Sequence, residues 1–124
     1  MADFRLPTPL SRALSATAAG LMVGAGVVAA PPAHADAVAY LVNVTVRPGY
    51  DFANADAALG YGDRLCDKLA QGVGYRDLMA EVKADFHTAD EFQASYLITQ
   101  AAGELCPAQI GPLRDSAAGY RPTP

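Results

Sequence analysis

Cys66 and Cys106 are the only cysteines in this chain of 124 residues, and they lie forty positions apart. A bridge between them would tie two distant segments together and restrict the fold more than any other feature of the sequence. Disulfides persist in oxidising compartments and are rare in the cytosol. The role of the two cysteines as bridge, nucleophile or metal ligand therefore depends on where the chain goes, and the N-terminus indicates that.

The N-terminal segment has the three-part layout of a secretory signal peptide. Residues 1–12 contain two arginines, and the following run 13–30 carries no charge. Such a basic start and apolar run precede the cleavage site of an exported chain. Ala33 and Ala35 supply the small-x-small pattern that signal peptidase recognises. We predict cleavage after Ala35, which makes Asp36 the first residue of the mature chain.

A transmembrane anchor is the alternative interpretation of the apolar run, because about 18 apolar residues approach the length needed to span a bilayer. The Ala, Gly and Val content of the run and the cleavage site beyond it favour a signal peptide instead. The segment has no adjacent arginine pair and no cysteine at the cleavage site, the marks of twin-arginine export and lipidation. We predict general secretory export to the cell envelope or the exterior, with no membrane contact after cleavage.

Composition limits what the mature chain can bind. Its 89 residues suffice for one small domain. Seven Lys and Arg residues face twelve Asp and Glu residues, which leaves a net charge of −5. An acidic protein gains no counterion-release energy from nucleic acid and no attraction from anionic lipid. The charge therefore argues against both as partners.

The cysteines are predicted to form a Cys66–Cys106 disulfide. Small exported domains bury little apolar surface and commonly depend on such bridges. Closing a loop of this length contributes about 4 kcal/mol in the chain-entropy model. A metal site would need further ligands, and the mature chain has only one histidine, His87. A Cys–His nucleophile pair fits poorly with an oxidising compartment.

Apolar periodicity predicts helices along the mature chain. Residues 36–46 alternate like a strand and also fit a helical face; because no second alternating run exists to pair with a strand, we predict a helix. Residues 55–71 and 75–86 predict two helices packed as a hairpin, and Gly72 should end the first in the left-handed conformation.

The last long helix carries the clearest local signal. Thr88 and Glu91 form a capping-box pattern that opens a helix running to about Cys106. This helix is apolar over most of its circumference, which indicates a central position, although the same surface could form a dimer interface and the oligomeric state stays open. Pro107 can begin a further short helix. We predict an all-α bundle of four to five helices over 36–116, after a signal peptide at 1–35 and before a mobile tail at 117–124.

Three segments resemble the mycobacterial secreted family called domain of unknown function 732. They read AYLVNVTVRPGY, GYGDRLCDKLAQG and ASYLITQAAGELCP. The resemblance spans the mature chain from Asp36 to about Ser116. It implies an exported all-helical domain with one disulfide, in which residues 36–46 are helical, and a host with a mycolic-acid envelope. It implies no catalytic residues.

Several groups of polar side chains could form a metal site or a catalytic site. A metal site would use the four ligand-type side chains between 85 and 91, which are Asp85, His87, Asp90 and Glu91. We favour a helix start there, because acidic residues are stabilised in a first helical turn. Asp63 and Asp67 are one turn apart, as an acid–base pair would be, but Arg64 and Lys68 beside them are typical of a solvated face. We therefore predict no metal and no other cofactor.

Hydrolytic and ligand-carrying sites are the remaining alternatives. A serine triad would have to combine Ser95 or Ser116 with His87, and neither serine lies in a nucleophile-elbow motif. Tyr96 and Phe92 could line an apolar pocket beside the central helix, suited to haem or lipid. We predict a non-enzymatic binding domain for an unknown protein or envelope component. The alternatives are a carrier of haem or lipid and an envelope hydrolase.

Overall fold

The computed structural model describes residues 33–122, and within them it contains helices and no strand. Five α-helices follow one another: α1 (Ala33–Thr45), α2 (Ala55–Ala70), α3 (Tyr75–Asp85), α4 (Glu91–Gln100) and α5 (Ile110–Ala117). A π-helical segment (Ala101–Leu105) continues α4, and a 3₁₀ turn (Pro107–Gln109) precedes α5. The predicted all-α fold is confirmed, and residues 38–45, whose local pattern also suited a strand, are helical.

The predicted signal peptide falls mostly on residues 1–32, outside the described part of the chain. The cleavage site stays a prediction. In the uncut chain α1 begins at Ala33, two residues before Ala35. None of the helices described has the length and apolar composition needed to cross a bilayer.

Local sequence explains both ends of α2. Asn54 caps its start, where the side-chain oxygen accepts from the amide of Ala57 at 2.8 Å. At its end, Gly72 adopts a φ of +87°, and the amide of Val73 donates to the carbonyl of Lys68 at 3.0 Å. These two features form a Schellman motif. The left-handed conformation predicted for Gly72 is confirmed.

Helices α2 and α3 are neighbours, as the hairpin prediction requires. The Tyr61 hydroxyl donates to Asp85 at 2.8 Å, and Lys68 pairs with Glu81. The reversed order of these contacts along the chain shows that the helices run antiparallel. The closest backbone packing of α3 is nevertheless with α4 and α5 rather than with α2.

The start of α4 differs from the predicted capping box. Asp90, not Thr88, is the N-cap, and its carboxylate accepts from the amides of Phe92 and Gln93. The amide of Thr88 donates instead to the carbonyl of Lys83, which ends α3. The Thr88 hydroxyl oxygen accepts from the amide of Asp90 at 3.0 Å, in a turn ahead of the helix, so α4 begins two residues later than a Thr88 cap would place it.

The rod formed by α4 and the π-helical segment is central, as predicted, and it contacts α1, α2 and α3. Its inward residues are fully or almost fully buried: Ala94, Leu97, Ile98, Ala101 and Ala102. Four aromatic rings pack together beside it, with centroids 5.1 to 6.1 Å apart: Tyr50, Phe52, Tyr61 and Phe86. Most of the apolar circumference of this rod is thus core.

The predicted disulfide is present between Cys66 in α2 and Cys106 at the end of the π-helical segment, with Cα atoms 5.9 Å apart. Pro107 follows directly, and a residue before proline is driven out of the helical conformation. Cys106 accordingly has φ −144° and ψ 64°. The bridge joins α2 to the end of the central rod at the point where the rod stops.

The segment predicted to be a mobile tail contains an anchored residue. The Tyr120 ring packs edge-on against Tyr75 at a centroid distance of 4.9 Å, and its hydroxyl donates to Glu91 at 2.7 Å. These contacts hold the chain just after α5 against the start of α4.

Candidate functional site

The two residues predicted to line a ligand pocket lie together at the surface. Phe92 and Tyr96 are one turn apart on α4, with ring centroids 6.0 Å apart. The Arg47 guanidinium lies over both rings, 4.8 Å from the first centroid and 4.2 Å from the second. Phe92 is 59% exposed. This arginine stack is a cation–π arrangement between the end of α1 and the start of α4.

Three cavities in the described part of the chain lie away from these two residues. Cavities of 390, 440 and 310 Å³ are present, and neither Phe92 nor Tyr96 lines any of them. Arg47 lies over both rings, and the Tyr96 hydroxyl donates to the carbonyl of Asn43 at 3.3 Å. The pair serves to join α4 to α1.

A hydrogen bond between two side chains also joins this side of α1 to α4. The Asn43 amide donates to the side-chain oxygen of Gln100 at 2.7 Å. On the inward side, Tyr40 and Val44 are buried, and the Tyr40 hydroxyl donates to the carbonyl of Ala58 at 3.0 Å. Burial is the main reason that the pKa of Tyr40 is raised well above its usual value. These contacts determine which side of α1 faces outward.

The outward side of α1 is apolar. Val38, Val42 and Val46, which we call the valine face, are 57%, 52% and 72% exposed. Val38 and Val42 lie one turn apart on α1. Val46 is the first residue after the helix and continues the row, because its amide still donates to the carbonyl of Val42 at 3.2 Å. The chain carries no charge between Asp36 and Arg47. A row of exposed apolar side chains uninterrupted by charge is the mark of an interaction surface.

The four side chains of the possible metal site are exposed or take part in helix caps and ion pairs. His87 is exposed, with a left-handed φ of +50° just after α3, and Asp90 caps α4. Glu91 pairs with Lys83 and accepts from Tyr120. Within residues 33–122, no three His, Cys, Asp or Glu side chains are placed to hold a metal ion together.

The contacts of Glu91 change three pKa values. The hydrogen bond from Lys83, helped by that from Tyr120, lowers the pKa of the Glu91 carboxyl. The same carboxylate raises the pKa of Lys83 and of Tyr120, in each case chiefly through its hydrogen bond. This network is a structural connection between α3, α4 and the chain after α5.

The groups of the hydrolase alternative are engaged with backbone or solvent. The Ser95 hydroxyl donates to the carbonyl of Phe92 at 3.2 Å. The Ser116 hydroxyl donates to the carbonyl of Leu113 and accepts from the amide of Tyr75. Asp63 and Asp67 are both exposed, like other residues of a solvated helix face.

Sequence reasoning missed two elements of this surface. The local sequence around Arg47 predicts only a turn. The stacking of Arg47 on the α4 rings depends on residues 45 or more positions away, which local patterns do not reveal. Periodicity predicts a helix for the segment that carries the valine face, but it does not predict which side of that helix other helices cover. The charge-free interval between Asp36 and Arg47 was the available signal.

Comparison with known proteins places the chain in one family. The model of the family described as "Protein of unknown function (DUF732)" matches residues 35–108, which is more than half of the chain. Neither the curated proteins nor the solved structures contain a match to it.

Proposed function

The chain belongs to the DUF732 family, and from this premise we propose that it is a secreted, non-enzymatic domain that binds a partner at the mycobacterial cell envelope or outside the cell. The partner is an unknown protein or envelope component. The binding surface is the valine face of α1.

The exposure of the valine face carries this proposal. Burying apolar surface stabilises a complex by about 25 cal/mol per Å² before the costs of association. Val38, Val42 and Val46 are each more than half exposed, whereas Tyr40 and Val44 on the opposite side are buried. The helix thus has a second apolar side that the described fold leaves uncovered.

Export is supported by the N-terminal pattern and the bridge. The charge-free run at 13–30 and the small residues Ala33 and Ala35 favour secretion. The Cys66–Cys106 disulfide suits an oxidising compartment.

The binding function is tested by cosedimentation of the protein with isolated mycobacterial envelope. We expect Val42→Asp to reduce the bound fraction at least fivefold, because it places a charge in the centre of the valine face. Ala80→Asp adds the same charge on an exposed position of α3 and should bind like the unaltered protein. Equal binding by the unaltered protein and both variants would contradict the proposed surface.

A carrier of haem or lipid is the second candidate, favoured by the 390 Å³ cavity between α1 and α2. Leu41, Val44 and Phe52 contribute its apolar lining, and Arg47 and Asp51 its charged lining. Ligand pockets commonly exceed about 300 Å³. Native mass spectrometry and visible absorbance of protein purified without denaturant test this function, since a carrier should be recovered with its ligand bound. Uniformly unliganded protein from its natural host would contradict carriage.

A further inference from the structure

We propose that the partner of the valine face is a second copy of this chain, with the two α1 helices antiparallel about a two-fold axis at Val42. This inference rests on the proposed function, because it names the occupant of the same surface. Two independent features support it: the symmetry of the apolar row and the placement of charge at its two ends.

The apolar row is symmetric about its central residue. Neighbouring valines are four residues apart, or about 6 Å along a helix. A two-fold axis at Val42 places Val38 opposite the partner's Val46 and Val42 opposite the partner's Val42. Such an isologous contact brings the same surface of both copies together. Each exposed valine then meets another valine.

The charges at the ends of the row are complementary under the same axis. Asp36 lines the 440 Å³ cavity together with Asp63 and Glu104, and we call these three carboxylates the acidic end. None of them forms an ion pair within residues 33–122. An axis at Val42 brings the partner's Arg47 opposite Ala37, next to Asp36. After the predicted cleavage the α-amino group of Asp36 adds one positive charge to this end. The three carboxylates outweigh it, so the acidic end still receives a cation from the second copy.

Arg47 is suited to this role. It stacks on Phe92 and Tyr96 and pairs with no carboxylate of the described residues. The stack holds the guanidinium on the α4 side of α1. The acidic end lies between α1, α2 and the π-helical segment, since Asp63 belongs to α2 and Glu104 to that segment.

The size of the contact predicts the strength of the dimer. The three valines form a patch smaller than specific interfaces, which usually bury about 1,200–2,000 Å² in total. We therefore expect a dimer that dissociates on dilution. Its association should weaken with added salt, because the charged ends lie at the solvent-exposed edge.

Sedimentation velocity of protein produced from the full chain, over a concentration series, tests the dimer. We expect the average mass to rise toward twice that of one copy. Val42→Asp should raise the dissociation constant at least tenfold, whereas Ala80→Asp should leave it unchanged. Circular dichroism checks that both variants remain helical.

A charge exchange tests the antiparallel arrangement. Arg47→Glu alone brings like charges together at both ends of the contact. Asp36→Lys alone removes one carboxylate from each acidic end and places a lysine beside the partner's Arg47. Each variant alone should therefore dimerise at least tenfold more weakly than the unaltered protein. A mixture of the two restores opposite charges at both ends and should form a heterodimer. A mixture that associates no better than either variant alone would overturn the proposed arrangement.

The two proposals fail in different ways. Protein that stays monomeric at every concentration but binds envelope through the valine face would overturn the second copy and leave the binding function standing. A dimer that needs Val42 but binds no envelope would support the second copy and overturn the envelope partner.

Discussion

Gly62 shows at the scale of one residue how closely α1 and α2 approach. A Cβ atom there would lie 2.6 Å from Cδ1 of Leu105 and 2.8 Å from Cζ of Tyr40. Tyr40 is fully buried, and Leu105 is partly buried against the core. A glycine is therefore required where α2 faces α1 and the π-helical segment.

We predict that Gly62→Ala lowers the free energy of unfolding by about 1–3 kcal/mol, the usual cost of overpacking a core. Gly103→Ala is the matched control, because nothing lies within 4 Å of its added Cβ. Urea unfolding followed by circular dichroism measures both. Equal midpoints for Gly62→Ala and the unaltered protein would show that α1 and α2 accommodate the added methyl group without loss of stability.

At the scale of elements, Glu91 joins three parts of the chain through Lys83 and Tyr120. Its carboxyl has a lowered pKa in the folded protein. A carboxyl of this kind contributes stability above its unfolded pKa of about 4.3, and this contribution is lost as the pH falls through the folded pKa.

We predict that Glu91→Gln destabilises the protein at pH 7 by less than about 1 kcal/mol, the range of exposed ion pairs, and by less still at pH 3. Asp67→Asn is the control, because the exposed Asp67 carboxylate forms no ion pair among residues 33–122. Unfolding in urea at both pH values gives the comparison. An equal loss at pH 7 and pH 3 would contradict an ionic contribution.

At the scale of the whole molecule, the disulfide holds α2 to the end of the central rod. We predict that Cys66→Ser with Cys106→Ser lowers the free energy of unfolding by about 4 kcal/mol, a large share of the 5–15 kcal/mol typical of domains. Thermal unfolding of the variant and of the reduced protein measures the loss. An unchanged melting temperature would mean that the bundle is stable without the bridge.

Export is checked on the intact protein by mass spectrometry. We predict the mass of residues 36–124, less two hydrogens until the protein is reduced. An uncut chain, or free thiols in protein recovered from the medium, would contradict the predicted route.

Buried tyrosines predict the alkaline limit of the whole fold. Burial raises the pKa of Tyr50 to about 12, and it raises the pKa of Tyr40 further. Both phenols stay neutral when folded but ionise at about pH 10 when unfolded. The stability they support is present below pH 10 and is lost as the pH rises through the folded pKa.

We expect these phenols to ionise together with loss of helix. Tyrosinate absorbance at 295 nm and far-ultraviolet circular dichroism, recorded in one titration, measure the two events. Full ionisation near pH 10 with the helical signal intact would contradict the burial.

The sequence by itself determined the helices and the left-handed end of α2 at Gly72, because apolar periodicity and turn chemistry act over a few residues. It also determined the bridge, because two cysteines allow only one pairing. Tertiary structure alone decided that Asp90 rather than Thr88 caps α4, because Glu91, the other half of the predicted capping box, is held by Lys83 and Tyr120. It also decided that Arg47 covers Phe92 and Tyr96 and that the valine face points outward. These outcomes depend on which distant residues pack against each side of a helix, and a helix that is apolar on both sides does not encode that choice.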